Sequence, residues 1–521
     1  MPSTDPLSAA PSRAAEFRSA GIKVGAALLV FAVLYALYSH EVKVESQVQE
    51  LLAGPRVAGG QRAGGARADL NKDTPAGWIG AEASLKQALD LQPSNPYGVA
   101  AFADTETMLV GAGFADRAGS ADAAVARAEA KDVTQPERYE AAALRMVQSG
   151  KPADAETLLL AVLAKYGSVP RVLDALGVAQ RAEGKLVESR MSFKRAQDAD
   201  WRSARKVANY ATALLEDGNA ADALAAYDRA LQANSEHLRS MIGKARAFAA
   251  LSRQGKNTDL KTALSLCDQV VSRGSDEAPP PLRAQALAAR AEVKLAMGDA
   301  AGAAKDASDA KTAAPDAVET LRALALTIKS GAFALWQAAV AKDKFDASLY
   351  FDGAESLAAS GDTASAEKLL SLFAAQLPKT ARYDLAIAHL WLARGDTKDA
   401  DLALAHAQSL EPANAMIYFE QGRSAQLRKD SKAAVAAYEH AAQLRDDMPE
   451  VYRQMGILYL EGKQKTEGMS AFTEALTRYK AARAPASVMD PFYAQVSDLA
   501  KKAKVLPKFI KQWLKEAHDL H

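Results

Sequence analysis

The sequence predicts an all-α protein: an α-solenoid of helix hairpins behind a single N-terminal transmembrane helix. Three observations carry this. Hydrophobic residues make up 49% of the chain and aromatics only 7%, so alanine supplies much of the apolar fraction; alanine is the best helix former, and its small side chain lets helices approach closely. The 521 residues are too many for one ordinary compact core, whereas a solenoid grows its core along one axis. Glycines placed like helix–helix turns recur at Gly150, Gly184 and Gly218, then at Gly361 and Gly395, each 34 residues after the one before it in its run.

Residues 1–21 read as a short N-terminal tail and 22–39 as a transmembrane signal anchor. Ile22 to Tyr38 is IKVGAALLVFAVLYALY, in which only Lys23 is charged, at the edge where its stem can snorkel. Seventeen helical residues span about 25 Å, short against a hydrocarbon core of about 30 Å, with Ser39 and a thinner local bilayer making up the difference. A cleaved signal needs small residues after the apolar run; SHEVKVESQVQE follows instead, with no A-x-A pattern. Arg13, Arg18 and Lys23 precede the span, while Lys43 beyond it is flanked by Glu41 and Glu45, which places the N-terminus in the cytoplasm. Residues 40–75 read as a juxtamembrane helix followed by the Gly/Arg-rich linker GPRVAGGQRAGGAR, a flexible tether.

The repeat region spans 76–480. Continuing the 34-residue spacing from Gly395 reaches Lys429 and Lys463. Five residues after each turn stands a small residue: Ala155, Ser189, Ala223, Ala366, Ala400, Ala434 and Gly468. Nine after it stands a bulky one: Leu159, Phe193, Tyr227, Leu370, Leu404, Tyr438 and Phe472. Seventeen after it, Pro378 and Pro412 close their helices. The middle, 240–346, departs from this spacing; the surplus falls around 252–259 and 272–281, and the unit near 316–346 keeps Phe333 and Trp336 without the turn pattern.

A small residue where two helices cross, an aromatic in the second helix and a closing proline together resemble the tetratricopeptide repeat (TPR) family, whose period is 34 residues. The resemblance implies a right-handed α-solenoid whose first helices line a concave, peptide-binding face. On that register Phe351, Glu355, Arg382, His389, Met416, Phe419, Arg423 and Arg453 are the candidate groove residues. Aromatic and arginine side chains make good interface anchors, and Arg382, Arg423 and Arg453 point to an acidic peptide or a carboxylate. The Lys/Asn pattern by which some members clamp a chaperone's C-terminal carboxylate is missing.

Little else in the chain suggests chemistry. With 64 basic and 63 acidic residues there is no global footprint for nucleic acid. The seven histidines form no H-E-x-x-H motif, the glycines at 59–65 lack the lysine of a phosphate loop, and no G-x-S-x-G occurs. Cys267 falls at a bulky-residue position and reads as core. Catalytic residues, metal, cofactor and small-molecule substrate are therefore not expected. Residues 481–521 read as C-terminal capping helices, with Phe509, Ile510, Trp513 and Leu514 on one apolar face; a basic amphipathic helix for a lipid surface or partner groove is the sharper alternative.

The layout resembles membrane-anchored bacterial envelope TPR proteins. That resemblance implies a non-enzymatic scaffold in the inner membrane, N-terminus cytoplasmic and TPR region periplasmic, binding protein partners for a secretion, pilus, motility or outer-membrane complex. A cytoplasmic TPR regulator, or an accessory subunit of an envelope enzyme, is the alternative.

Overall fold

The computed structural model describes residues 13–54, 65–254, 256, 258–328, 330–482 and 486–518, with side chains from residue 29 onward except at 486, 487 and 516–518. All regular structure among them is helical. The first helix, α1 (Arg13–Ala53), contains the whole apolar run. After it come α2 (Gly65–Leu70) and α3 (Pro75–Leu91).

Eleven antiparallel pairs follow. The first four are α4 (Pro96–Ala112) with α5 (Ala118–Ala130), α6 (Pro136–Gln148) with α7 (Pro152–Tyr166), α8 (Pro170–Ala182) with α9 (Leu186–Ala199), and α10 (Ala204–Glu216) with α11 (Ala220–Ala233). The irregular middle supplies α12 (Leu238–Arg253) with α13 (Leu260–Val271), α14 (Pro280–Ala296) with α15 (Ala300–Ala313), and α16 (Val318–Thr327) with α17 (Ala332–Lys342). The last four are α18 (Ala347–Ala359) with α19 (Thr363–Gln376), α20 (Ala381–Ala393) with α21 (Thr397–Leu410), α22 (Ala415–Leu427) with α23 (Ser431–Leu444), and α24 (Pro449–Glu461) with α25 (Lys465–Ala481). Helices α26 (Ala486–Lys502) and α27 (Pro507–His518) close the chain. The insertions of the middle are absorbed by the long α14 and by the loops after α12 and α13, so hairpins continue through it.

Each turn has a local cause. At Gly361 the backbone is left-handed (φ +89°), and the Asp362 amide donates to the Leu357 carbonyl 2.9 Å away, closing the first helix. The Asp362 carboxylate then accepts from the Ser365 amide and caps the next helix. Asp396 and Asp430 do the same one and two repeats later. Lys429 and Lys463 are left-handed too, at φ +62° and +63°, so the turn is imposed there without a glycine.

The small and bulky positions form the core. Phe193, Tyr227, Tyr438 and Phe472 are buried, and full burial of such a ring contributes about 1.5–3 kcal/mol. Their seats are glycines that the 34-residue pattern did not single out. A Cβ on Gly177 would lie 2.6 Å from the Phe193 ring, one on Gly422 2.4 Å from Tyr438, and one on Gly456 2.9 Å from Phe472. These aromatics thus pack within their own hairpin as well as towards the next element, where Phe472 meets Phe492 of α26 with ring centres 6.0 Å apart. Tyr227 joins two hairpins, through the Thr212 hydroxyl at 2.9 Å and against Gly243 of the next. Cys267 is fully buried, and burial pushes its thiol well up.

Among the described residues no helix is long and apolar enough to cross a membrane; the expected span falls in part on residues 22–28, whose side chains lie outside the described ones. The remainder, from Leu29 to Tyr38, projects large apolar side chains that none of the described residues covers: Leu29, Phe31 and Tyr35 are 65–68% exposed. Beyond them α1 changes role. Val48 and Leu52 are buried against Trp78, Leu85 and Leu109. The chain on both sides of the Gly/Arg-rich stretch is therefore packed, and its ends meet: a Cβ on Gly65 would lie 2.5 Å from the Gly54 nitrogen. Helix α1 thus runs without a break from the apolar run to this packed end. Residues 55–64 lie outside the described ones.

Candidate binding groove

The first helices of successive hairpins, α4 to α24 in even numbers, adjoin along the inner face. That face is filled by ion pairs. Arg171 of α8 reaches Asp104 of α4 at 2.9 Å and Glu140 of α6 at 2.7 Å; Arg205 of α10 reaches Glu140 at 2.7 Å and Asp174 at 3.2 Å. Burial and the neighbouring Glu140 push the Asp104 carboxyl up to about 8. Glu140 is buried as well, but the guanidinium groups of Arg205 and Arg171 hold it at about 2. A second network joins Arg322 to Glu292 at 2.9 Å and to Asp352, with Arg253 bridging the same two carboxylates at 3.3 and 3.4 Å.

The solenoid also touches itself across its axis. Arg181, at the end of α8, pairs with Glu216 at 2.8 Å and with Asp343 at 2.8 Å, a residue 162 positions on, close to five periods of 34. Burial works against the Arg181 charge, but the Glu216 and Asp343 carboxylates more than offset it. Phe345 lies where a Cβ on Gly184 would be, 2.5 Å away, and Leu186 packs on the core of α18–α20. Arg382 donates to the Glu216 carbonyl at 3.0 Å. The N-terminal end of the solenoid is tied in likewise, through Asp73 to Ser203 at 3.2 Å and Asn234 to the Lys72 carbonyl. Parts of the expected open concave face are therefore occupied by the chain's own neighbouring turn.

The eight candidate residues fall into three places. Phe351, Glu355 and Arg382 come together at this seam: Phe351 is buried, and the Arg382 guanidinium lies 4.1 Å above its ring. Glu355 and Arg382 line a small polar cavity of about 80 Å³. Phe351 and Arg382 line a larger one of about 550 Å³, between α9 and α18–α20. His389 and Arg423 gather on the buried Glu420, with Nδ1 of His389 3.0 Å from its carboxylate and Arg423 donating to it at 2.7 Å. Met416 and Phe419 are half-buried; Phe419 packs on Tyr438 with ring centres 5.7 Å apart. Arg453 stands apart, donating to Gln495 of α26 at 2.7 Å. The three arginines are thus not one positive surface, because Arg423 and Arg453 already have partners. Arg181, Glu216 and Asp343, which build the seam, carry no periodic signal: they pair between turns, not within a repeat.

At the C-terminus Ile510 and Trp513 are buried on α25–α26, and the Trp513 indole donates to Thr473 at 3.1 Å, so α27 caps the last hairpin. Phe509 turns away from that face and is 52% exposed.

No family model and no curated protein matches the chain. Several solved structures are similar to it in part. The Cut9–Hcn1 hetero-tetramer of APC/C is 14% identical over 82% of this chain and 93% of that one, with a TM-score of 0.40. Yeast Tom70 is 13% identical over 73% and 94%, with a TM-score of 0.39. A tetratricopeptide repeat protein from Parabacteroides merdae is 18% identical over 55% and 98%, with a TM-score of 0.30. These are likenesses of shape at low identity, and the assignment stands on the chain's own geometry. With hairpins 34 residues apart from Pro136 to Leu238 and again from Ala347 to Pro449, left-handed turn residues in that spacing and small-on-large helix crossings, the chain is a tetratricopeptide-like α-solenoid.

Proposed function

We propose that the protein is a membrane-anchored scaffold that binds protein partners along its inner face and has no catalytic role. The observation that carries this reading is the pairing of two features: a run of hairpins from Pro96 to Ala481, and a preceding helix whose residues 29–38 present uncovered apolar side chains. Such a band is costly in water and favourable in a bilayer. The positive charges before it support an N-terminus in the cytoplasm and a solenoid on the far side, the periplasmic side of a bacterial inner membrane. An assembly or secretion role in the envelope fits this placement. The continuous α1 adds a geometric constraint. Six residues, roughly 9 Å of helix, separate Tyr38 from Val44, where packing towards α2 and α3 begins. The solenoid then stands close to the membrane surface.

Alkaline extraction of membranes tests the anchor: the chain stays in the pellet, and release of the intact chain into the supernatant contradicts the reading. A reporter fused after Leu70 is active on the exported side; activity only on the cytoplasmic side reverses the orientation.

A further inference from the structure

We propose that the 550 Å³ cavity at the seam between superhelical turns binds an internal segment of a partner protein in which a large apolar side chain stands next to an Asp or Glu. The inference rests on the scaffold reading and specifies where, and by what chemistry, the partner is held.

The lining sorts the ligand. Phe351, Phe373 and Leu377 make one wall apolar and Val187 of α9 adds an apolar side chain from the facing wall, and the volume matches a bulky side chain with its flanking backbone. Val187 and Met191 are 59% and 60% exposed and one turn apart on α9, so apolar surface continues from the cavity onto the outside. A segment can run on past its anchor, which favours an internal stretch over a chain end.

The charge comes from Arg382. Other cations around the cavity are engaged: Arg181 by Glu216 and Asp343, Arg190 by Asp217, Lys185 by Glu156 and Glu183. Arg382 has the Glu216 carbonyl and the Phe351 ring, but no carboxylate of the described residues within 4.0 Å. Asp352, Asp217, Asp346 and Glu355 act on it only from further away, and burial pulls its guanidinium down. Arg181 and Arg322, similarly enclosed, are held up by their carboxylates. An arriving carboxylate supplies what Arg382 lacks, as a charge-assisted hydrogen bond in a poorly hydrated place.

The test pans the full-length chain, in detergent micelles, against random peptides displayed as internal segments and again against peptides with free C-termini. The expected internal hits share a large apolar residue beside Asp or Glu. Synthetic capped hits lose at least about 10-fold in affinity with Arg382→Gln, and a hit with Asp changed to Asn no longer distinguishes Arg382→Gln from wild type. Val187→Asp, at an exposed position that leaves the fold alone, weakens the same peptides by repulsion and keeps the test valid should Arg382→Gln unfold. Hits indifferent to both variants overturn this site while leaving the scaffold reading in place. Hits without an acidic residue, hits only with free C-termini, or no hits at all overturn the site as well.

Discussion

Replacing Gly422 by alanine separates two effects of opposite sign. In an open helix the change is stabilising, by up to about 1 kcal/mol, through helix propensity. At this crossing the new Cβ meets Tyr438 at 2.4 Å (Cε1) and 2.6 Å (Cδ1), far inside contact distance. The ring has little room to retreat: it is fully buried, packs on Phe419, and its hydroxyl donates to Gln426 at 2.9 Å. Overpacking of this kind costs about 1–3 kcal/mol, and loss of the tyrosine hydrogen bond about 1 kcal/mol more. Net destabilisation of about 1–3 kcal/mol is expected. The assay is the urea midpoint of the full chain in detergent, read together with hydrogen exchange in α22 and α23, because long repeat arrays need not unfold as one unit. Gly119→Ala, an exposed helical position with nothing within 4 Å, is the control and shifts the other way. Tyr438→Leu added to Gly422→Ala costs less than the sum of the two single changes, since the clash is shared. A Gly422→Ala chain as stable as the Gly119→Ala control refutes the small-on-large crossing.

Other expectations follow from the same contacts. Lys429→Gly and Lys463→Gly, each relieving a left-handed lysine, stabilise by roughly 0.5–1 kcal/mol each in the same urea assay. Arg181→Met leaves Glu216 and Asp343 unpaired inside the seam and destabilises by about 3 kcal/mol, with exchange rising at 343–345 and at 184–186 together. Asp104, raised to about 8 by burial and Glu140, binds its proton more tightly folded than unfolded; its stabilising contribution is therefore full below pH 4 and is lost as pH rises through about 8. Between those limits stability falls with rising pH by up to about 1.4 kcal/mol per unit, and Asp104→Asn flattens the dependence; an unchanged slope refutes it. Cys267 stays unlabelled by maleimide in the folded chain and reacts once urea unfolds its hairpin.

The repeat was legible because its causes are local. Turn, cap and crossing residues act within one hairpin, so a 34-residue spacing exposes them, down to Lys429 and Lys463, where the chain turns left-handed without glycine. The seats of the aromatics, Gly177, Gly422 and Gly456, were hidden by the alanine-rich background, in which one more small residue carries no signal. The inner face was misjudged for a different reason. A concave face implied by a single repeat ignores what the superhelix brings back against it, and only the fold shows that Arg181 meets Asp343 five periods later. Of the eight groove residues, Phe351, Glu355 and Arg382 gather at that seam because it is where the turns meet, whereas Arg453 is taken up by the C-terminal cap. The docking of α1 on α2 and α3 was not legible either, because Val48 and Leu52 sit in a short apolar pattern that also suits a solvated helix.

A photo-crosslinking residue placed at Val187 of the chain in its native membranes tests partner binding at the seam most directly, with one at Leu402 on the outer surface, 65% exposed, for comparison. Irradiation is expected to give a discrete protein adduct from position 187 that is lost with Arg382→Gln and absent from position 402. No protein adduct from 187, or the same adducts from both positions, contradicts the account.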